Sequence, residues 1–322
     1  PNYFLGGQMT LDPEIAKRVI KEKVADKLSM EARAAAYGIY QIVNANMANG
    51  IRVASISRGA DPRGCLYIVA GGAGPVHACA IADELEMELI LIPRSSSVFC
   101  ASGMLISNLR HDFVRACYMQ IQEGDVNNEV INAQLKEMRD QANVLLEAEM
   151  IPVENRTFNT SFDVRYEGQF NEIETPITLS GDGVFSEEDI PVLQKVFDQR
   201  HDALYGYHLP GSPVELIAVR VKAEGMTEKP AFREVPFAGE DASGALKGER
   251  EIYYEGKSVN AKVYEGVKVA NGNRIAGPAI VEEATTTVLV APNYKLQCDS
   301  FNNFLLCHKE DNLEEVLRKL AG

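Results

Sequence analysis

Residues 66–93 read LYIVAGGAGPVHACAIADELEMELILIP, and this stretch decides the fold class. It begins as an apolar run, breaks into three glycines within four residues at Gly71, Gly72 and Gly74, and resumes as an alanine-rich segment. That order predicts a buried strand, a tight turn and a helix, and the apolar residues 89–92 predict a second strand. A strand, a helix and a strand in succession are typical of an α/β protein.

The composition is that of a globular protein with an acidic surface. Of the 322 residues, 46% are hydrophobic and 24% are charged, which is enough to bury more than one core. The formal net charge of -14 disfavours nucleic acid and anionic membranes as partners, because both would be repelled. No apolar run reaches the length of a membrane span, so we expect no membrane partner.

The six cysteines contain no C-x-x-C pair and lie in mostly apolar contexts. This usage predicts reduced, buried thiols and a cytoplasmic location. Cys100 could be a nucleophile, but its apolar neighbours favour a small buried thiol. No group of histidines, cysteines and carboxylates has the spacing of a zinc site, so we expect no metal ligand set in this chain.

Helices are predicted before the glycine-rich stretch. Asp12, followed by proline, is typical of a helix cap, and the amphipathic pattern runs over residues 12–28. Apolar spacing predicts a longer helix over residues 30–49, with Gly50 as its stop. The alternation at 51–53 predicts a short strand.

The rest of the chain is predicted to be mixed. The patterns predict a short helix and a strand over 95–120, helices over 127–150, 186–204 and 312–320, strands over 156–177 and 214–225, and short strands up to residue 307. We therefore expect three domains, over residues 1–120, 121–226 and 227–322.

The glycine turn predicts an anion site, because free backbone N–H groups and the dipole of a helix meet at such a turn. The alternative is that the glycines only permit tight packing. Two well-known nucleotide motifs are excluded. The sequence GGAGPV lacks the G-x-G-x-x-G spacing of dinucleotide-binding folds, and no Walker loop occurs in the chain.

Seven short motifs follow one another along the chain: NYFLGG (2–7), VNANMA (43–48), RGADPR (58–63), GGAGPVHA (71–78), LRHD (109–112), RYEGQ (165–169) and GPAIVEE (277–283). In these motifs and their order the chain resembles the hydantoinase A/oxoprolinase family, which includes the ATP-using subunits of acetone and acetophenone carboxylases. The resemblance extends from the first residues to near the last.

The resemblance implies an α/β fold, in which the second lobe of an actin-like (ribonuclease H-like) ATPase core is followed by a β-rich α+β C-terminal region. Gly71, Gly72, Ala73 and Gly74 match the turn that approaches the adenosine and phosphates of ATP in this family. A β-carbon there would hold the backbone away from the ligand and block unusual φ values.

Family members are roughly twice as long as this chain. Their N-terminal half carries the first phosphate loop and the acidic residues expected around Mg²⁺, and this chain has no counterpart to either. The resemblance thus implies an ATP and Mg²⁺ site whose Mg²⁺ ligands come mainly from that half. We expect a chain that is inactive alone, with two protein partners: a polypeptide carrying the N-terminal ATPase lobe, and a hydantoinase B-like subunit.

The activity implied is phosphorylation of a carbonyl or enol oxygen by ATP. It would precede either hydrolysis of a lactam or cyclic imide, or carboxylation of a ketone such as acetone or acetophenone, and we assign no catalytic residue. Two alternatives remain open. The chain could be a non-catalytic scaffold subunit of such a complex, or a sugar-kinase-like or chaperone-like ATPase with the same core.

Three more residues complete the predicted nucleotide site. His77 opens the helix after the glycines, where its ring could bond a phosphate or cap the turn. Asn46, like Asn44, is an amide in an otherwise apolar helix, which indicates a packing contact or a ligand. Arg52 lies just past the predicted end of that helix, and we expect this helix end to touch the nucleotide.

Overall fold

The computed structural model describes residues 3–121, 126–181 and 183–321. The chain divides into two compact units, one formed by Pro1–Met104 with Ala231–Gly322 and the other by Leu105–Pro230. We call these the glycine-turn unit and the central unit. The three domains expected from the sequence stay a prediction, and the two units are described in turn.

Helices and strands alternate through both units, and the mixed α/β class predicted from the sequence is confirmed. The helices are α1 (Pro13–Ile20), α2 (Asp26–Leu28), α3 (Ala32–Ala54), α4 (Gly74–Leu85), α5 (Phe99–Ile106), α6 (Asn128–Ala148), α7 (Asp189–Tyr205) and α8 (Leu313–Ala321). The strands are β1 (Tyr67–Ile68), β2 (Ile90–Ile92), β3 (Leu109–Gln120), β4 (Arg156–Tyr166), β5 (Ile173–Ile177), β6 (Val214–Gly225), β7 (Leu246–Tyr254), β8 (Lys257–Glu265), β9 (Arg274–Ala276), β10 (Ala279–Glu282), β11 (Thr287–Val290), β12 (Tyr294–Cys298) and β13 (Phe304–His308).

The glycine-turn unit contains two mixed sheets. The first has the strand order β1-β2-β13-β12-β9, in which only β1 and β2 are parallel. The second has the order β11-β10-β8-β7, with β10 and β8 parallel. The predicted succession of strand, turn, helix and strand is confirmed as β1, the glycine turn, α4 and β2.

Helix α4 packs through small residues, which allow close approach to the sheet. Ala78 and Ala82 are fully buried, and the Cys79 thiol donates to the Leu289 carbonyl of β11 at 3.4 Å. Near the other end of the helix, the buried Tyr294 donates its hydroxyl proton to Asp83 at 2.7 Å. One hydrophobic core therefore joins α4 to strands from both ends of the chain.

The predicted strand over 51–53 is wrong, because α3 continues to Ala54. Gly50 lies inside the helix and does not stop it. Ile51 packs against the core that contains Ala48, so both residues lie on the face of α3 that contacts this core. Two apolar residues flanking one polar residue fit a helix as well as a strand, and packing against α4 decides the outcome.

The central unit is an antiparallel sheet in the order β3-β6-β4-β5, with α6 and α7 packed against it. Asn127 caps α6 by accepting from the Val130 N–H at 3.2 Å. Helix α7 begins at Asp189, three residues after the predicted cap; Asp189 accepts from the Ser186 N–H at 2.9 Å. The predicted helices and strands of this region are otherwise confirmed to within a few residues.

All six cysteines are unpaired, and the expectation that they are buried is wrong at Cys65 and Cys100. Both are exposed, because Cys65 follows a surface turn and Cys100 lies on α5, whose apolar residues are themselves largely exposed. The other four thiols are buried. Among the helices of the described part of the chain, none has both the length and the apolar character needed to cross a membrane.

Candidate functional site

The glycine turn joins β1 to α4, and two loops hold it in place. The Gly71 N–H donates to the Ser96 carbonyl at 2.7 Å, which ties the turn to the loop after β2. The Thr286 hydroxyl donates to the Gly72 carbonyl at 2.7 Å, which ties it to the loop between β10 and β11. The turn is therefore fixed by contacts that are distant in sequence.

Each glycine meets a different steric requirement. Gly71 has φ +94°, a left-handed conformation that disfavours a side chain. At Gly72 a β-carbon would lie 3.0 Å from the Thr285 carbonyl oxygen, and at Gly74 it would lie 2.9 Å from Cγ1 of Val69. Tight packing, the alternative weighed from the sequence, thus accounts for Gly72 and Gly74.

The turn nevertheless presents unused hydrogen-bond donors. Within the described ranges, no acceptor bonds the N–H groups of Gly72, Ala73 or Gly74. Residues 71–73 are exposed, and α4 has no side-chain cap at its N-terminus. Exposed N–H groups at the start of a helix of this length favour an anion through direct bonds and through the helix dipole.

Two hydroxyl groups lie beside the turn. Oγ of Ser97 and Oγ1 of Thr285 are 2.5 Å apart, so they share one hydrogen bond. The Thr285 carbonyl is the atom that a side chain at Gly72 would meet, which places this pair at the edge of the turn. Either hydroxyl has capacity left to bond a ligand.

Arg94 holds the loop between β10 and β11 in place, and both terminal nitrogens of its guanidinium are bonded. Its guanidinium pairs with Glu283 and donates to the carbonyls of Gly266 and Val269, each at 2.9 Å. It also lies 4.7 Å from the ring centre of Phe304. Burial raises the pKa of Glu283, although Arg94 opposes that shift. The pair is structural, since its charges are neutralised by each other.

His77 lies in the first turn of α4, as predicted, but its ring faces α3. Nδ1 is 2.7 Å from the amide oxygen of the buried Asn44, and the ring stacks on Tyr40 with centroids 5.2 Å apart. Burial lowers the pKa of His77, which favours a neutral ring at pH 7 with a proton on Nδ1 to donate. Its other nitrogen forms no hydrogen bond with the described residues.

The structure separates Asn46 and Arg52 from the turn's immediate contacts. Asn46 is exposed, about 200° around α3 from Asn44. Arg52 belongs to the last turn of α3 and bonds the carboxylate and carbonyl of Glu84 at 2.8 and 2.9 Å. Glu84 lies ten residues after Gly74 on α4, roughly 15 Å along the helix axis. Contact of Asn46 and Arg52 with a nucleotide stays a prediction.

Sequence reasoning missed a recess lined by tyrosines. Tyr37 and Tyr40 of α3, with Tyr253 and Tyr254 of β7, line a cavity of about 440 Å³. The signals were the three-residue spacing in YGIY, which places two rings on one face of a helix, and the pair YY at 253–254. Only the tertiary structure brings these two segments together.

No metal ligand set accompanies the turn. Across residues 3–121, 126–181 and 183–321, no group of three or more His, Cys, Asp and Glu side chains is arranged to hold a metal ion.

Two family models match almost the whole chain. The hydantoinase/oxoprolinase model matches residues 1–113, and the model of the hydantoinase/oxoprolinase C-terminal domain matches residues 120–309. The second match alone covers more than half of the chain.

Individual relatives agree with these matches. The chain is 32% identical to the caprolactamase subunit alpha of Pseudomonas jessenii over 92% of its length, and 29% identical to the acetophenone carboxylase gamma subunit of Aromatoleum aromaticum over 93%. The crystal structure of the ATP-dependent caprolactamase from Pseudomonas jessenii superimposes with a TM-score of 0.73 over 95% of the chain, at 30% identity. The chain spans 42%, 42% and 44% of the lengths of these proteins, respectively.

Proposed function

The chain belongs to the hydantoinase/oxoprolinase family, and we propose that it forms half of an ATP-using subunit of a hydantoinase/oxoprolinase-type enzyme or ketone carboxylase. In this proposal residues 71–74 bind the phosphates of ATP. The observation that carries it is the set of unused N–H groups on Gly72, Ala73 and Gly74, exposed at an uncapped helix start. Relatives include an ATP-dependent caprolactamase, which supports ATP as the anion.

The chemistry follows from what this site offers. Bound ATP would supply a phosphoryl group to a carbonyl or enol oxygen of a lactam, a cyclic imide or a ketone. This chain's part is positioning and charge neutralisation: the turn's N–H groups bind phosphate oxygens, and the dipole of α4 offsets their charge. The neutral His77 ring, fixed by Asn44, holds the first turn of α4 against α3.

Mg²⁺ fits this proposal only if another segment supplies its ligands. Glu283, in the loop that packs on the turn through Thr285 and Thr286, is held by Arg94, and the described residues form no ligand cluster. We therefore propose that a polypeptide corresponding to the remaining part of the relatives completes the site, and that residues 1–120 form the second lobe of an actin-like core. A hydantoinase B-like subunit would supply a further surface of the complex.

A second candidate is a non-catalytic scaffold subunit. It is favoured by the packing of Gly72 and Gly74 against Thr285 and Val69, since that packing explains both glycines without a ligand. The unused donors favour the nucleotide role over this alternative.

The test is a change at Ala73, which is exposed and already carries a β-carbon. Ala73→Asp places a negative charge where phosphate would bind, while the matched Ala73→Asn variant adds the same bulk without the charge. With the chain purified together with the polypeptides that accompany it, we expect Asp to weaken ATP binding by at least about tenfold and Asn to change it little. Calorimetric titration measures both.

Equal ATP affinities in the Ala73→Asp and Ala73→Asn variants would show that the turn does not bind the phosphates of ATP. Failure of the unaltered complex to bind ATP would support the scaffold.

A further inference from the structure

The tyrosine-lined recess lies next to the glycine turn, and we call it the tyrosine cleft. Its volume of about 440 Å³ is within the range of small-molecule sites. Aliphatic side chains from β7, β10 and β11, namely Ile252, Ile280 and Leu289, complete a mostly apolar wall. Such a lining with a few polar groups suits a planar organic ring.

The rings are arranged as a continuous aromatic surface. Tyr37 stacks on Tyr40 with centroids 5.8 Å apart and an interplanar angle of 27°, and Tyr253 meets the edge of Tyr37 at 5.8 Å and 72°. Tyr40 in turn stacks on His77, which lies in the first turn of α4. The aromatic surface thus leads from the cleft to the helix that begins at the glycine turn.

The polar side chains of the cleft are either uncharged hydroxyl groups or an ion pair whose charges cancel. Tyr40 donates its hydroxyl proton to the Val76 carbonyl at 3.1 Å, and burial raises its pKa to about 12. Within the part of the chain that the structure describes, the hydroxyls of Tyr37 and Tyr253 form no hydrogen bond. At the rim, Arg33 pairs with Glu251 at 2.7 Å. The cleft therefore offers stacking and neutral hydrogen bonds, with little net charge to attract an ion.

Two segments connect the cleft to the turn. Val76 lines the cleft and lies only two residues after Gly74 on α4. Thr287 also lines it, and Thr285, two residues earlier, carries the carbonyl that packs at Gly72. The turn and the cleft are therefore built from the same two segments of chain.

We propose that the tyrosine cleft binds the purine base of the nucleotide, packed against Tyr253 and Tyr37. This inference rests on the proposed function, because the same nucleotide places its phosphates at residues 71–74. Tyr37 and Tyr253 would then contribute to affinity for the base and not to affinity for the phosphates. A partner's side chain or the carbonyl substrate in the cleft is the competing outcome that the experiment separates.

The experiment compares two probes on the complex that contains this chain: ATP and inorganic tripolyphosphate, which has the phosphates without the base. We expect Tyr253→Ala to weaken ATP binding by roughly tenfold, the scale of one base stacked on an aromatic ring, and to leave tripolyphosphate binding unchanged. Phe170→Ala is the matched control, because this ring is 94% exposed in the central unit. It should change neither affinity.

A second readout does not depend on loss of affinity. The chain contains no tryptophan, so Tyr253→Trp places a single indole in the cleft. We expect ATP to quench or shift its fluorescence and tripolyphosphate to leave it unchanged.

The outcomes distinguish the two proposals. If neither probe binds the unaltered complex, the proposed function fails. Suppose that ATP binds and that Ala73→Asp weakens its binding. If Tyr253→Ala then leaves ATP affinity unchanged and ATP does not alter the fluorescence of the indole, only the base site is overturned. An indole that responds to a lactam or a ketone and not to ATP would also overturn it, and would assign the cleft to the carbonyl substrate.

Discussion

The two units differ in how the polar groups of their family motifs are bonded. In the central unit, Glu215 accepts from both Arg165 and Tyr118, and Arg220 grips Asp163 through two bonds of 2.7 and 2.8 Å. In the glycine-turn unit, the N–H groups of residues 72–74 and the hydroxyls of Tyr37 and Tyr253 have no partner among the described residues. Satisfied networks stabilise a fold, whereas exposed unused donors are available to a ligand.

Two helix starts show the same difference. Helix α6 is capped by the Asn127 side chain, which satisfies one of its free N–H groups. Ala73 occupies the corresponding position before helix α4, and its methyl group cannot accept a hydrogen bond. The side chains of the motif RYEGQ at 165–169 bond residues within the central unit, which is a structural role. The proposed binding chemistry lies in the glycine-turn unit.

The largest loss of stability is expected on substitution of Arg94. Arg94→Ala leaves the partly buried Glu283 without its cation and frees the loop that supports the glycine turn, so we expect a loss of roughly 3 kcal/mol in the free energy of unfolding. Urea denaturation measures it. Arg318→Ala, which breaks an exposed pair with Glu314, is the control and should cost less than about 0.5 kcal/mol. Equal losses in the two variants would show that Arg94 does not lock the loop.

A smaller effect is expected at Tyr166 in the central unit. Its hydroxyl donates to Asp198 at 2.5 Å and accepts from the Leu209 N–H at 2.9 Å, and burial with Asp198 raises its pKa to about 12. Tyr166→Phe should lower the free energy of unfolding by about 1–2 kcal/mol without changing ATP affinity. Tyr205→Phe is the control, because Tyr205 also packs against His201 and its hydroxyl forms no hydrogen bond with the described residues. A change in ATP affinity with Tyr166→Phe would contradict a purely structural role for Tyr166.

The smallest effect is a pH dependence at His77. Burial lowers its pKa in the folded protein below the unfolded value near 6.5, so the unfolded state binds more protons between these two values. Stability should therefore fall slightly as the pH drops from 7 through 6.5 toward the lower folded pKa. His77→Asn should remove this slope in denaturation curves recorded from pH 7.5 to 5.5. If the unfolding free energy of His77→Asn still falls with pH in this range, groups other than His77 cause the pH dependence.

Much of the local structure was predictable. The glycine turn, its helix and its flanking strands follow from hydrophobic runs broken by glycine, and Asp12 marks its helix start by accepting from the Glu14 N–H at 2.9 Å. The error at Ile51 and Val53 arose because three residues cannot distinguish a helix from a strand. The exposure of Cys65 and Cys100 was missed because apolar neighbours in sequence need not be neighbours in a core.

The sequence by itself determined the α/β class, the family, and the position of the glycine turn, because these depend on patterns that are local or matched residue by residue. Only the tertiary structure decided what surrounds the turn. Strand β13 pairs with β2, Arg94 pairs with Glu283, and Tyr253 contacts Tyr37, each across at least 189 residues of chain. Contacts at such separation depend on packing of the whole unit, and no local pattern specifies them.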